Sequence, residues 1–316
     1  MSNLSKSAMR AASALPSPLA HSTSHLAQLY AWIAMLVVGP LTTIIWATLL
    51  GRNGIPAWDP YVRLGCLLSM VGLTWLWPTS LRPLRGFLFA LLALVVGTMT
   101  TSFFMKLPTV TSWLQTLQPS QYVFVDAIGA TLFPAGFMAL TLIGSGLSRH
   151  DLSLAKGNMS ARSRLFGPLT PALPWPLLAP ILLVILVIPG LVQVVLTVHP
   201  DLARASNILS ALPLILAFGL INSLQEEFRF RLVFLARLVP VVGERHALLL
   251  TSVLFGLVHW VSGHPGGPVG ALIAGCAGWF LAKSIRETGG IGWAWLLHGV
   301  ADVLIITLLV MATVLR

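Results

Sequence analysis

Charge is what this chain has least of. Asp, Glu, Lys and Arg together make up 9% of its 316 residues, against about 25% in soluble globular domains. So dilute a charge excludes an ordinary water-soluble fold. Cysteine is scarce as well: Cys66 and Cys276 are the only two, both in apolar runs. That excludes a disulfide framework and a thiolate metal site. No H-E-x-x-H zinc signature and no G-x-S-x-G nucleophile elbow occurs, and neither cysteine stands beside a catalytic-looking histidine. Serine and cysteine nucleophiles therefore lack support.

Apolar residues are abundant, at 56% of the chain. Repeated runs of about 20 such residues predict an all-α, polytopic transmembrane helical bundle rather than a barrel. The net charge of +10 reads as basic loops facing anionic lipid, so the partner it points to is membrane lipid, with no nucleic acid. Eight to nine membrane helices are expected: 26–50, 61–77, 84–105, 122–147, 172–198, 206–225, 246–262, 268–284 and 291–314. Residues 1–25, rich in Ser and Ala, are expected to form a disordered cytoplasmic tail. Residues 26–147 form N-terminal membrane helices, 148–171 a basic cytoplasmic loop, and 172–316 the core. With the N-terminus inside, the segments predicted to face out hold Arg52, Arg63, Lys106, Arg204 and Arg316, five of 19 basic residues. That bias predicts a multi-pass protein with a cytoplasmic N-terminus, in the inner membrane if the source is bacterial.

Against this background one stretch stands out. Gln225-Glu226-Glu227-Phe228-Arg229-Phe230-Arg231 places four charges in six residues, between the apolar runs 208–224 and 232–238. Charges near membrane depth are costly and mark functional sites; the plain alternative is a solvated cytosolic loop. On a helix, Glu227 and Arg231 are four residues apart and can pair. Glu226 has no basic residue at that spacing, which leaves its carboxylate available for proton transfer.

Two of the eight histidines also lie inside apolar helices. Phe255 and His259 share one helix face, and so do His298 and Asp302. Asp302 precedes Val303-Leu304-Ile305-Ile306, so it needs a partner, and His298 lies one turn away. Gly256, Gly263, Gly270, Gly275, Gly278 and Gly299 permit close helix approach. His21, His25, His150, His199, His246 and His264 fall in tails, loops or helix ends and read as unremarkable. Trp260 and Trp295 are candidate pocket walls. Glu226, Glu227, Arg231, His259, His298 and Asp302 are thus the candidate catalytic set, fit for hydrolysis. A glutamate can take a proton from water and pass it to a leaving amine, while the histidines either donate to an oxyanion or bind zinc. Zinc is the one cofactor this set suggests, and the choice between zinc-bound and metal-free chemistry stays open. A proton-coupled transporter and a catalytically silent membrane scaffold or immunity factor are the competing readings.

The order E-E-x-x-x-R, F-x-x-x-H, H-x-x-x-N/D on separate helices resembles the CPBP family of intramembrane proteases, also called the Abi or type II CAAX prenyl endopeptidase family. Here the three read Glu226 to Arg231, Phe255 to His259 and His298 to Asp302. The resemblance covers about residues 172–316, and Asp151-Leu152-Ser153-Leu154 is similar to a short segment that often precedes such cores. It implies an intramembrane endopeptidase that cleaves a membrane-associated protein or peptide. In that scheme Glu226 activates water, assisted by Glu227, which Arg231 holds. His259 positions the water or a metal, and His298 and Asp302 stabilise the oxyanion or complete a metal site. The chain departs from the pattern in three places. Leu232 replaces a frequent Gly, Arg229 is an additional charge, and Asp302 stands where relatives often have Asn, which favours a metal or a protonated carboxyl.

Overall fold

The computed structural model describes residues 24–51, 55–165 and 171–312. The expected N-terminal tail lies almost wholly outside them. The fold is all-α, with strand limited among the described residues to two two-residue pieces, β1 (Arg162–Ser163) and β2 (Leu173–Pro174), paired antiparallel. The helices in chain order are α1 (His25–Val38), α2 (Leu41–Leu50), α3 (Asp59–Leu76), α4 (Pro78–Leu81), α5 (Arg85–Phe104), α6 (Pro108–Leu114) and α7 (Pro119–Leu140), then α8 (Trp175–Val198), α9 (Ser206–Glu227), α10 (Val233–Val242), α11 (Glu244–Ser262), α12 (Gly267–Thr288) and α13 (Gly292–Ala312).

Five helical stretches among the described residues are long and apolar enough to cross a bilayer: Thr79–Phe104, Trp175–Val198, Ile208–Val242, Gly267–Thr288 and Gly292–Ala312. The pair α1 and α2, bent by 43° at Gly39-Pro40, makes a sixth if it counts as one span. The chain is an integral membrane protein, but eight or nine spans are not reached on these criteria. Besides that pair, three of the expected spans form helices that are not among the five. Of these, α3 carries Asp59 and Arg63, α7 carries Asp126 and an internal Pro134, and α11 opens on Glu244-Arg245-His246.

One boundary moves in a way that matters for the site. Of residues 225–246, expected to form a cytoplasmic connection, 225–242 instead continue the helix, which ends at Gly243 before α11. α9 runs through a five-residue π-helical turn, Phe228–Leu232, straight into α10. The resulting stretch Ile208–Val242 has 35 residues and rises about 50 Å, more than the ~30 Å hydrocarbon thickness. The charged cluster therefore sits mid-helix. Such a stretch survives because its charges face protein: Glu227 and Arg231 are fully buried, and Arg229 nearly so. This also takes Arg229 and Arg231 out of the cytoplasmic charge count, since neither is a loop residue.

The N-terminal helices cover the back of that turn. Phe230, Leu232, Val233, Phe234 and Leu238 pack in one apolar core with Met35 of α1 and Phe87 and Leu91 of α5. The Phe87 and Phe234 rings meet edge to face at 5.7 Å. On the α13 side, the chain around 148–165 is a clamp rather than a free polar linker. Asn158 N–H donates to Thr288 O at 2.8 Å, and Ile291 N–H to Ala155 O at 2.9 Å. The Trp293 indole donates to Met159 O, and the buried Trp175 indole to Glu287 Oε2. Gly157 is at φ +75 and packs on Gly290 so closely that a side chain there would collide with backbone. At the clamp's start, the Ser148 N–H and hydroxyl both donate to Asp151 Oδ2, at 2.8 and 2.7 Å. Those bonds, the backbone one foremost, hold the Asp151 carboxyl below its ordinary pKa.

Candidate active site

Three helices bring the charged and imidazole groups together: α9 with its π-turn, α11 and α13. Their approach depends on small residues. Gly299 of α13 faces Ser223 of α9, where an added Cβ would lie 3.2 Å from the Ser223 hydroxyl. Gly219, one turn before Ser223, faces Val303 and the Gly299 carbonyl at still closer range. Gly256 of α11 meets Ala271 and Gly275 of α12 in the same manner. Small residues at these contacts let backbones come near enough for short polar side chains to span the gap.

His298 is the centre. Its Nδ1 lies 2.7 Å from Glu227 Oε1, and the same oxygen accepts from Arg231 Nη1 at 2.5 Å. Glu227 is thus pinned between an arginine and an imidazole, fully buried. Its second oxygen, Oε2, has no hydrogen-bond partner. Arg231 is fixed in turn: its guanidinium lies 4.1 Å over the Phe255 ring, and its Nε donates to Gly278 O at 3.4 Å. The Gly expected after the motif arginine is replaced by the buried Leu232. Close packing is supplied instead from α12, by Gly278 against Arg231 and Phe255.

The other imidazole nitrogen, Nε2, faces two carboxylates: Glu226 Oε2 at 3.4 Å and Asp302 Oδ1 at 3.6 Å. Glu226 has Arg229 three residues on, at 4.0 Å from Oε1. So the extra charge in the motif leans on Glu226, although no basic residue occupies the i+4 position. Arg229 also stacks over Phe230 at 4.8 Å.

His259 packs against Phe255, with ring centroids 4.4 Å apart, and Phe255 meets His298 edge to face at 5.7 Å. Phe255 thus touches both histidines. His259 Nδ1 is 3.0 Å from the Phe255 carbonyl, which can only accept. Nδ1 therefore carries the proton, and in the neutral ring Nε2 is left as an acceptor. The structure brings Glu226, Glu227, Arg231, His298 and Asp302 into one network, with His259 joined to it through its contact with Phe255.

A cavity of about 90 Å³ opens beside the histidines. His259, His298 and Asp302 stand in its wall, and Leu182 and Leu186 of α8, Ile273 and Phe280 of α12 and Ile305 of α13 supply apolar lining. Glu226 is outside that lining, as are Trp260 and Trp295; the Trp295 indole instead donates to Leu220 O. His264, read as unremarkable, is a wall residue. His246 accepts from the Trp32 indole at 3.1 Å and ties α1 to α11. The sequence reading passed over Asn222, whose amide donates to Asp302 Oδ2 at 3.0 Å. Its place one turn before Glu226 on α9 was the available signal.

A protein-bound zinc ion needs several N, O or S donors about 2 Å from one point. Among the described residues no group of three His, Cys, Asp or Glu side chains offers that arrangement. As placed, the donors do not fit such an ion.

Residues 208–304 match the family model described as "Type II CAAX prenyl endopeptidase Rce1-like". No curated protein and no solved structure matches the chain. The matched segment holds all three motifs and ends just beyond Asp302; α8, which lines the cavity, lies before it. The match supports the resemblance of this segment to the CPBP family of type II CAAX prenyl endopeptidases that its three motifs carry.

Proposed function

We propose that the chain is an intramembrane endopeptidase that hydrolyses a peptide bond of a membrane-associated protein or peptide, with Glu226 as the base that activates water. The observation that carries this reading is the unequal placement of carboxylates around His298. Glu227 is locked on Nδ1 by Arg231, while Glu226 faces Nε2 without a short bond to any group. A general base needs a lone pair that is not already committed.

The steps follow from the groups present. Water, held by the free Nε2 lone pair of His259, gives a proton to Glu226 as its oxygen bonds to the scissile carbonyl carbon. In the imidazolium form, His298 donates through Nδ1 to Glu227 and through Nε2 toward the reacting centre, where it stabilises the developing oxyanion. When the C–N bond breaks, the proton on Glu226 passes to the leaving amine, which restores the carboxylate. Arg231 and Glu227 act by holding the imidazole in place, and Asp302 sets the field beside it. No step uses a metal ion. A zinc-assisted version of the same hydrolysis would require His259 and His298 on one ion, and metal analysis of the purified protein beside His259→Ala and His298→Ala separates the two. One zinc per chain, lost in both variants, would replace the metal-free scheme.

The apolar cavity next to His259 and His298 supports an apolar substrate, and the family description supports a prenylated C-terminal peptide as the first probe. In proteoliposomes, cleavage of such a probe by wild type and its loss in Glu226→Gln is the expected result.

A further inference from the structure

Two carboxylates face the same nitrogen of His298, and only one of them can be the base. Asp302 is the nearer to the cavity, and nothing in a motif says why it should not compete with Glu226. The answer lies on α9. Asn222 stands one turn before Glu226, as Asp302 stands one turn after His298, so the two helices form two rungs. Glu226 meets His298 at 3.4 Å on one rung, and Asn222 meets Asp302 at 3.0 Å on the other. The two helices are held at that distance by Gly219, Ser223 and Gly299.

The direction of the Asn222 bond is fixed from both ends. Gln225 Nε2 donates to Asn222 Oδ1 at 2.8 Å, so that oxygen is an acceptor and Nδ2 is turned to Asp302. Asn222 is buried, so water does not stand in for the lost bond at no cost. With Oδ2 of Asp302 engaged, only Oδ1 is left toward His298, at 3.6 Å.

We infer that Asn222 is a positioning residue that commits Asp302 to orienting His298 and so leaves Glu226 as the sole base. This rests on the hydrolase reading above. Asn222 takes no part in bond making and acts through Asp302.

The test is ¹⁵N NMR of the full-length protein with labelled histidine in lipid bilayers, run beside turnover of a prenylated CAAX peptide probe. In Asn222→Leu the His298 ring signals are expected to move in the same direction as in Asp302→Asn, with the His259 signals unchanged. Turnover should fall about tenfold in kcat at constant KM, which corresponds to one hydrogen bond to a charged group. Gln225→Leu, which frees the Asn222 amide without deleting it, should give a smaller shift of the same sign. That variant carries the test if Asn222→Leu fails to fold. His298 signals that move in Asp302→Asn but stay at their wild-type positions in both other variants would overturn the proposal. The ring signals need no turnover. Full turnover in Glu226→Gln would therefore sink Glu226 as the base while leaving the Asn222–Asp302–His298 contact to be judged on the spectra alone.

Discussion

At the scale of single residues, the adjacent glutamates of this chain do different work. Glu227 shares one carboxylate oxygen between Arg231 and His298, with every member of the trio buried. Breaking such a pair from one side strands the other charge, at a cost of about 3–5 kcal/mol. Arg231→Leu is therefore expected to lower thermal stability and the yield of monodisperse protein, beyond any loss of activity. Arg231→Lys should recover only part of this, since an ammonium cannot reach Glu227 while covering the Phe255 face. Thermal unfolding followed by size-exclusion chromatography in detergent checks both. Glu226 is different: its contacts at 3.4 and 4.0 Å are loose. Glu226→Gln is expected to leave the unfolding temperature close to wild type.

At the scale of elements, the charged stretch works because a π-turn lies inside one long helix instead of a loop between two. Turns of this kind are rare and gather at functional sites. Helix packing carries the geometry. At Gly219 a side chain would drive into Val303 and the Gly299 carbonyl, so Gly219→Leu should push α9 off α13 and abolish cleavage. Gly136→Leu on α7, where nothing stands within 4 Å of an added Cβ, should be tolerated; parallel turnover and melting measurements decide. The i,i+4 pairs Glu227/Arg231, Phe255/His259 and His298/Asp302 were legible because a helix puts such residues on one face whatever surrounds it. The continuity of α9 into α10 was not legible. Glu226 to Arg231 reads as a polar break in sequence, and only the N-terminal helices packed around Phe230, Leu232 and Phe234 make it an interior. The Asn222 rung was hidden for a related reason: its spacing puts Asn222 on the Glu226 face of α9, but its partner Asp302 is 80 residues away on another helix. The described part of the 148–171 loop also proved ordered, since its backbone pairs with Thr288, Ile291 and Gly292 in place of water.

At the scale of the whole molecule, the clamp formed by 148–165 and the α12–α13 turn lie together at one end of the bundle. They are separated from Asp201 by the 24-residue span of α8. Cysteines introduced at Arg149 and Arg286, after removal of Cys66 and Cys276, should label from one side of the membrane, and one at Asp201 from the other. Labelling of 149 and 286 from opposite sides would contradict the clamp. A cytoplasmic N-terminus, as the bias of basic residues suggests, is our proposal for the absolute orientation, and a further cysteine introduced at Ser24 reads it. The central claim is hydrolysis by Glu226-activated water, and the most direct measurement is cleavage of a prenylated CAAX peptide by purified wild type and Glu226→Gln in proteoliposomes, with the unfolding temperature of each recorded. The account predicts cleavage by wild type and a loss of about 10²–10⁴-fold in Glu226→Gln, the span expected for a general base, at an unchanged unfolding temperature. Cleavage by Glu226→Gln at the wild-type rate would contradict it.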